Sequence, residues 1–569
     1  MTRLEVQHLV KAMVAELERS MSRLRAPRHP RPYYISYLVR DMESYNVWAR
    51  YGALHQVRRE HRRVCYADVR VGSYRYDHTS KGGLTDQGEE NEGIELVDLP
   101  IENDMDSFRF SLWRLTDAKF RDAVSRYHGK KSRDVSYLDQ NRSLPSFQKM
   151  EADIDICSLH RFQVDQDYWR LYVKRASIFF KKFPEIKNSY VELSAELVTK
   201  VFVNSEGIQR SWQEPIFSLN VYFWYHTKRL DQDYSIVHHV AAIDELPDLE
   251  TLKAEVERKI QQFQAVEHGD EMTSFSGPVL LAPKAAGLFL HEVVGHRLEG
   301  SRLLSESEGR TFKDKLLQKI MHEDITIYDD PTIERFQGKT LIAHYPYDDE
   351  GAEAKRAHLV ERGVLKGFLT TRSPLSKQGH ESNGHARNQT DERPISRMAN
   401  LIVQSHSQHT WEDLKQKLLQ EIQRQKVPYG MILLDVEGGE TETEAYNFQA
   451  FLGQITVAVK VFPNGRETYV RGVDFVGTPL SSLSHIIAVG RDHLVDNGFC
   501  GAESGTIPVS TVAPALLLNT LELQAKSPSK VTQYAMPLPW FEAEGGRSTG
   551  TVGKAPRRRH ARRSGKKKS

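Results

Sequence analysis

Candidate chemistry is concentrated in one short run, Leu288-Phe289-Leu290-His291-Glu292-Val293-Val294-Gly295-His296-Arg297. Two imidazoles flank a carboxylate that directly follows the first of them. In a zinc hydrolase such a set lets ring nitrogens hold the metal while the carboxylate takes a proton from the activated water. The familiar helical version spaces the histidines by four, which puts them on one face. Here the spacing is five. At about 100° per residue, five steps turn the second ring roughly 140° from the first. A turn of π-helix, with i→i+5 hydrogen bonds, restores a common direction, and such turns concentrate at functional sites. Gly295, just before His296, is expected to absorb the distortion. The competing reading makes His291 and His296 unrelated members of a set of 23 histidines.

A catalytic zinc usually takes three protein ligands and keeps one position open. The chain has three cysteines. Cys65, in a strand-like run, and Cys157, in an apolar one, are expected to be packing thiols. Cys500 stands in Asn497-Gly498-Phe499-Cys500-Gly501, where glycines let the backbone approach closely. A soft thiolate there suits zinc, and a buried packing thiol is the alternative. Asp348, Asp349 and Glu350 could gather around a second cation, but beside Gly351 a turn or helix cap is expected. His380 and His385, around Ser382-Asn383-Gly384, read as solvated loop histidines. His238 and His239 fall in a strand pattern and offer no ligand geometry.

These residues need a scaffold. Pro278-Val279-Leu280-Leu281-Ala282 predicts a buried strand, followed by a helix from Lys284. Nearer the N-terminus, Val6, Leu9, Val10, Met13, Val14 and Leu17 form one helical stripe over residues 4–24. Further helices are expected at 107–127, 165–180 and 249–264, the last introduced by Pro247-Asp248. Strands are expected within 33–76 and 190–240, with Asn204-Ser205-Glu206-Gly207 as a hairpin turn and 82–106 as a loop. Beyond residue 320, short β-rich runs divided by turn pairs, with one helix at Trp411–Gln425, predict a curved or barrel-like sheet. The fold class is α+β. An N-terminal α/β domain is expected over 1–270 and a C-terminal β-rich domain, carrying the metal helix, over 271–544.

Composition narrows the function classes. At 569 residues the chain exceeds one ordinary core, and 39% hydrophobic with 27% charged residues is a globular balance. No apolar run approaches the roughly 20 residues of a membrane span. The N-terminus carries no apolar leader, and three scattered cysteines make no disulfide framework, so a cytoplasmic setting is expected. Residues 545–569 hold ten Lys or Arg and no acid, leaving 68 basic against 76 acidic groups elsewhere. Such a tail is expected to be disordered. Nucleic acid could be met only through it, with a plain solubilising role as the alternative.

His291-Glu292-x-x-x-His296 with a distant Cys500-Gly501 resembles the TldD/PmbA metallopeptidase family, also called modulators of DNA gyrase. Tyr328-Asp329-Asp330-Pro331-Thr332, Asp348-Asp349-Glu350-Gly351, Arg397-Met398-Ala399-Asn400, Gly438-Gly439 and Arg471-Gly472-Val473 are similar to family segments in the same order. The resemblance implies two domains, a barrel-like C-terminal one bearing the site, and a dimer with a second copy or a family paralogue. It implies zinc on His291, His296 and Cys500, with Glu292 as general base in hydrolysis of unfolded or precursor peptides. Some members lack the zinc ligands and form the non-catalytic half of a heterodimer. This chain retains all four residues and looks like the catalytic type. The alternatives are a peptide-binding partner subunit or a regulator acting through the basic tail. One stretch departs from the pattern: the family often follows Cys-Gly with Lys-x-Gly-Gln, whereas Ala502-Glu503-Ser504-Gly505 stands here.

Overall fold

Two-residue and four-residue turns fold the N-terminal half into long antiparallel strands. Strands β1 (Pro32–Arg50) and β2 (Ala53–Val71) are joined through Tyr51 and Gly52, both with positive φ, at 47° and 92°. That backbone matches the right-handed twist of a tight hairpin. Strands β3 (Ile186–Asn204) and β4 (Gln209–His226) turn at the expected Asn204–Gly207 segment, and β5 (Asp231–Val240) completes the meander. The spatial order is β2-β1-β3-β4-β5, with short strands Leu96–Asp98 and Ile154–Ile156 at β2 and β4. The computed structural model describes residues 1–80, 96–136, 144–157, 159–305, 308–309, 311–377, 381–444, 450–526 and 536–541. His380, the basic tail and most of the loop expected over 82–106 lie outside the described residues.

One face of this sheet is roofed by helices. Helices α1 (Arg3–Arg23) and α2 (Met105–Ser136) pack over Ile35, Tyr37 and Val39. Further along the same strand, α3 (Gln166–Ile178) and α4 (Leu249–Glu267) cover Tyr45 and Val47. The alternation of a strand sends Leu38 to the opposite face, where it packs with Phe202, Trp212, Ala343 and Tyr345. Residues 1–531 form one compact unit. Of residues 532–569, the described portion contains a single 3-10 turn, Pro539–Phe541.

The second sheet closes on itself. Strands β6 (Phe275–Leu281), β7 (Gly430–Thr441), β8 (Phe451–Val461), β9 (Val473–Gly477) and β11 (Gly505–Ala525) hydrogen-bond in that sequence, and β11 returns to β6. This is a five-stranded barrel within an α+β chain. Strand β10 (Ile486–Ala502) pairs along the outer length of β11. Helix α5 (Pro283–Leu290) packs on β11 and β7, and Ala285, Ala286, Phe289 and Leu290 are fully buried in the core. Helix α6 (Trp411–Gln425), begun by a Thr410–Asp413 capping box, covers the outside through Leu414, Leu418 and Ile422. No described helix is long and apolar enough to cross a membrane.

Candidate metal centre

Pro283 opens α5 at a position where its missing N–H costs nothing. The helix runs to Leu290, and the next turn, His291–Gly295, is π-helical, with the His296 N–H reaching the His291 carbonyl. The five-residue spacing is thereby absorbed, and the two rings meet edge to face with centroids 5.0 Å apart. Gly295 does not serve the purpose expected of it. Its φ and ψ are −54° and −60°, ordinary helical values. A side chain there would instead place Cβ 2.1 Å from the Sδ of buried Met398. Glycine is needed for space, not for backbone freedom.

Cys500 approaches from the end of β10. Its Sγ lies 3.3 Å from His291 Nε2 and 3.3 Å from His296 Nε2, and the three donor atoms fall within 4.8 Å of one another. Tetrahedral zinc, with sulfur at ~2.3 Å and nitrogen at ~2.0–2.1 Å, separates such donors by about 3.5 Å. The donor set therefore fits a metal ion in both spacing and chemistry. His291, His296 and Cys500 are all buried.

Charge in the cluster is mutually supporting. Burial pushes the Cys500 thiol up, but His296 and His291 outweigh it and hold it well below its usual value. Burial likewise opposes charge on His296, yet Cys500 and Glu299 raise it to about 10. Glu292 is raised, first by burial, with both histidines pulling it back. A carboxylate held above its ordinary range is a better proton acceptor near neutrality.

Glu292 lines a cleft of about 500 Å³ together with the three donor residues and segments of β7 and β10. A Cβ on Gly439 would sit 3.1 Å from Glu292 Cγ, so Gly439 leaves room for this side chain.

Three buried partners of the centre, Glu299, Arg302 and Arg397, have no role assigned by the sequence. Glu299, fully buried, faces His296 Nδ1 at 3.4 Å and accepts from Arg302 Nε at 2.9 Å. Arg397 donates to the Cys500 carbonyl at 2.7 Å and places its Nε 3.5 Å from Glu299. The available signal was Glu299's position three residues past His296, within reach of its free ring nitrogen.

Other candidates resolve differently. Asp348 Oδ1 accepts the backbone N–H groups of Glu350 and Ala352, the turn expected there. His385, expected to be solvated, is fully buried, its Nδ1 bonded to Asn383 and its Nε2 facing Asp329 at 3.3 Å. His238 pairs with Glu255, while His239 borders the cleft. Cys65 is fully buried and Cys157 half-buried.

Fold and site together define an α+β protein whose closed barrel presents a His/His/Cys constellation on a π-distorted helix. Residues 274–525 match the family model of the PmbA/TldA metallopeptidase C-terminal domain, which places this part of the chain in the TldD/PmbA family. A metalloprotease of Archaeoglobus fulgidus is 34% identical over 243 residues, 42% of this chain and 51% of that protein. A zinc metalloprotease TldD homolog of Saccharolobus solfataricus is 27% identical over 250 residues, 43% of this chain and 51% of that protein. The chain thus spans about half the length of the curated relatives it matches. TldE from Thermococcus kodakarensis shares the fold, with a TM-score of 0.60 at 13% identity, covering 90% of this chain and all of that one.

Proposed function

We propose that this chain is a zinc-dependent peptidase that cleaves unfolded or precursor peptides, with zinc on His291, His296 and Cys500 and Glu292 as general base. The observation that carries the reading is the convergence of both Nε2 atoms on Cys500 Sγ at 3.3 Å, at the wall of a cleft that Glu292 also lines. Zinc held there would supply Lewis acidity toward the scissile carbonyl and lower the pKa of the attacking water. The Glu292 carboxylate accepts the proton of that water and returns it to the nitrogen of the leaving amine. Its burial raises the proton affinity of the carboxylate, which favours acceptance near neutrality.

An extended substrate has an edge to bind. Strand β7 pairs with β6 only over Met431–Leu433, whereas its pairing with β8 continues to Thr441. Residues Glu437, Gly438, Gly439, Glu440 and Thr441 border the cleft, and a Cβ on Gly438 would meet nothing within 4 Å. Strand addition at such an edge selects extended chains over folded ones, because the substrate must offer its own backbone groups. The active assembly is a dimer, with a second copy or a family paralogue.

The test is zinc quantification paired with mass spectrometry of products from an unfolded peptide library. Chelation is expected to stop cleavage and added zinc to restore it. Cleavage that persists without metal, or zinc-loaded protein that only binds peptides, overturns the reading.

A further inference from the structure

The turn that departs from the family pattern carries the contacts that join the two ligand-bearing segments. Cys500 comes from the β10–β11 hairpin and His296 from the turn after α5, and nothing in the covalent chain holds these together. Glu503 and Ser504 are the residues between Ala502 and Gly505, which pair across the hairpin. Glu503 takes both ends of the Arg302 guanidinium, Nη1 on Oε1 and Nη2 on Oε2, each at 2.8 Å. Arg302 simultaneously donates Nε to Glu299 at 2.9 Å, and Glu299 faces His296 Nδ1. Ser504 Oγ accepts from Arg397 at 2.9 Å, and the same guanidinium reaches the carbonyls of Cys500 and Gly505.

Two guanidiniums therefore bridge the hairpin to one carboxylate on the histidine segment. Arg302, Arg397, Glu299 and Ser504 are all at most 2% exposed, while the Glu503 side chain is 40% exposed at the outer end of the chain. A bidentate Arg–carboxylate pair fixes direction as well as distance. With Nδ1 of His296 facing Glu299, its Nε2 is the nitrogen left to face Cys500.

We infer that Glu503 and Ser504 are positioning residues that latch the Cys500 hairpin onto the His296 segment and so preform the metal centre. The inference rests on the reading of His291, His296 and Cys500 as zinc ligands. Outer partners of this kind typically change metal affinity by on the order of 10-fold to 100-fold.

The experiment measures zinc affinity by competition with a chromophoric chelator, together with alkylation of Cys500 in the metal-free protein, located by mass spectrometry. Glu503→Ala and Ser504→Ala are each expected to weaken zinc at least 10-fold and to speed Cys500 alkylation, with the melting temperature retained. Glu503→Asp, which keeps the charge, is expected to recover part of the affinity. Glu503→Gln serves if the alanine variant folds poorly. His296→Ala separates the two layers. If it binds zinc as the parent does, the zinc-centre reading itself fails. If it loses zinc while the Glu503 and Ser504 variants match the parent in affinity and alkylation, the latch alone is overturned.

Discussion

Two of the buried clusters of ionisable groups in this molecule are built on opposite principles. Around Asp348, Asp349 and Glu350 the carboxylate oxygens are met by fixed internal donors. Asp349 takes Lys200 at 2.8 Å, Arg40 at 3.2 Å and the Asn388 N–H at 3.0 Å. Asp348 accepts three backbone N–H groups, from Glu350, Ala352 and Ala386. Glu350 accepts the Arg372 N–H and faces Arg70. At the metal centre, by contrast, the atoms that converge are two ring nitrogens and a sulfur. They meet each other rather than backbone donors, and they open on a cleft. The acidic cluster is satisfied from within, whereas the donor atoms of the candidate centre converge beside an open space.

The acidic knot also has a definite structural task. Arg40 and Lys200 belong to β1 and β3 of the first sheet, so their pairs with Asp349 bind that sheet to the turn at Asp348–Gly351. Burial alone would push Asp349 up, but Lys200 and Arg40 outweigh it and hold it below the usual range.

The comparison can be broken by paired substitutions. Cys500→Ala is expected to abolish stoichiometric zinc and leave the denaturant midpoint of the metal-free protein close to the parent's. Asp349→Ala is expected to do the reverse: it leaves buried Arg40 without its carboxylate and Lys200 with Glu214 alone, and costs about 3–5 kcal/mol, read by urea unfolding, while the folded fraction keeps its zinc affinity. Equal effects of the two on stability would erase the distinction.

A smaller effect is expected at Asp435, where β7 meets Lys259 at 2.6 Å, Lys284 at 2.9 Å and the Tyr234 hydroxyl. Burial opposes its charge, but Lys284 and Lys259 prevail and bring it to about 2. Because the folded value lies below the unfolded one near ~3.9, its contribution is fully present above about pH 4 and fades as pH falls toward 2. That contribution is about 2–3 kcal/mol. Asp435→Asn should therefore lose stability at neutral pH and show a flatter decline in acid, measured as unfolding free energy against pH. The smallest effect concerns Gly295→Ala, which forces Met398 to move and costs about 1–3 kcal/mol by overpacking. Met398→Ala should recover part of that loss, seen in the melting temperature.

The ligand helix was legible because its signals are local. Apolar residues, the five-residue spacing and the histidine–glutamate adjacency all lie within one run, and the π-turn follows from helical geometry. Helices α1 and α4 were legible for the same reason, the first through its apolar stripe and the second through Pro247-Asp248. The strand lengths were not. Strand β2 runs 19 residues, but its first ten are exposed and rich in Arg and His, so no alternation betrays them. The barrel-like sheet was expected from the short β-rich runs, but the strands that close it were hidden, since β11 bonds to strands from distant parts of the chain. The supports of the centre illustrate the same limit. Arg302 and Glu503 are 201 residues apart, and neither is unusual until folding makes them neighbours. Gly295 and His385 were misread because both owe their environment to side chains elsewhere in the sequence, Met398 and Asp329.

In the proposed reaction Glu292 moves the proton, supported by a metal on His291, His296 and Cys500. The most direct measurement compares Glu292→Gln with the parent for zinc content and for hydrolysis of an unfolded peptide. Zinc bound one per chain in both, with turnover falling by about 10²–10⁴-fold in the variant, is the predicted result. Undiminished turnover by zinc-loaded Glu292→Gln would contradict it.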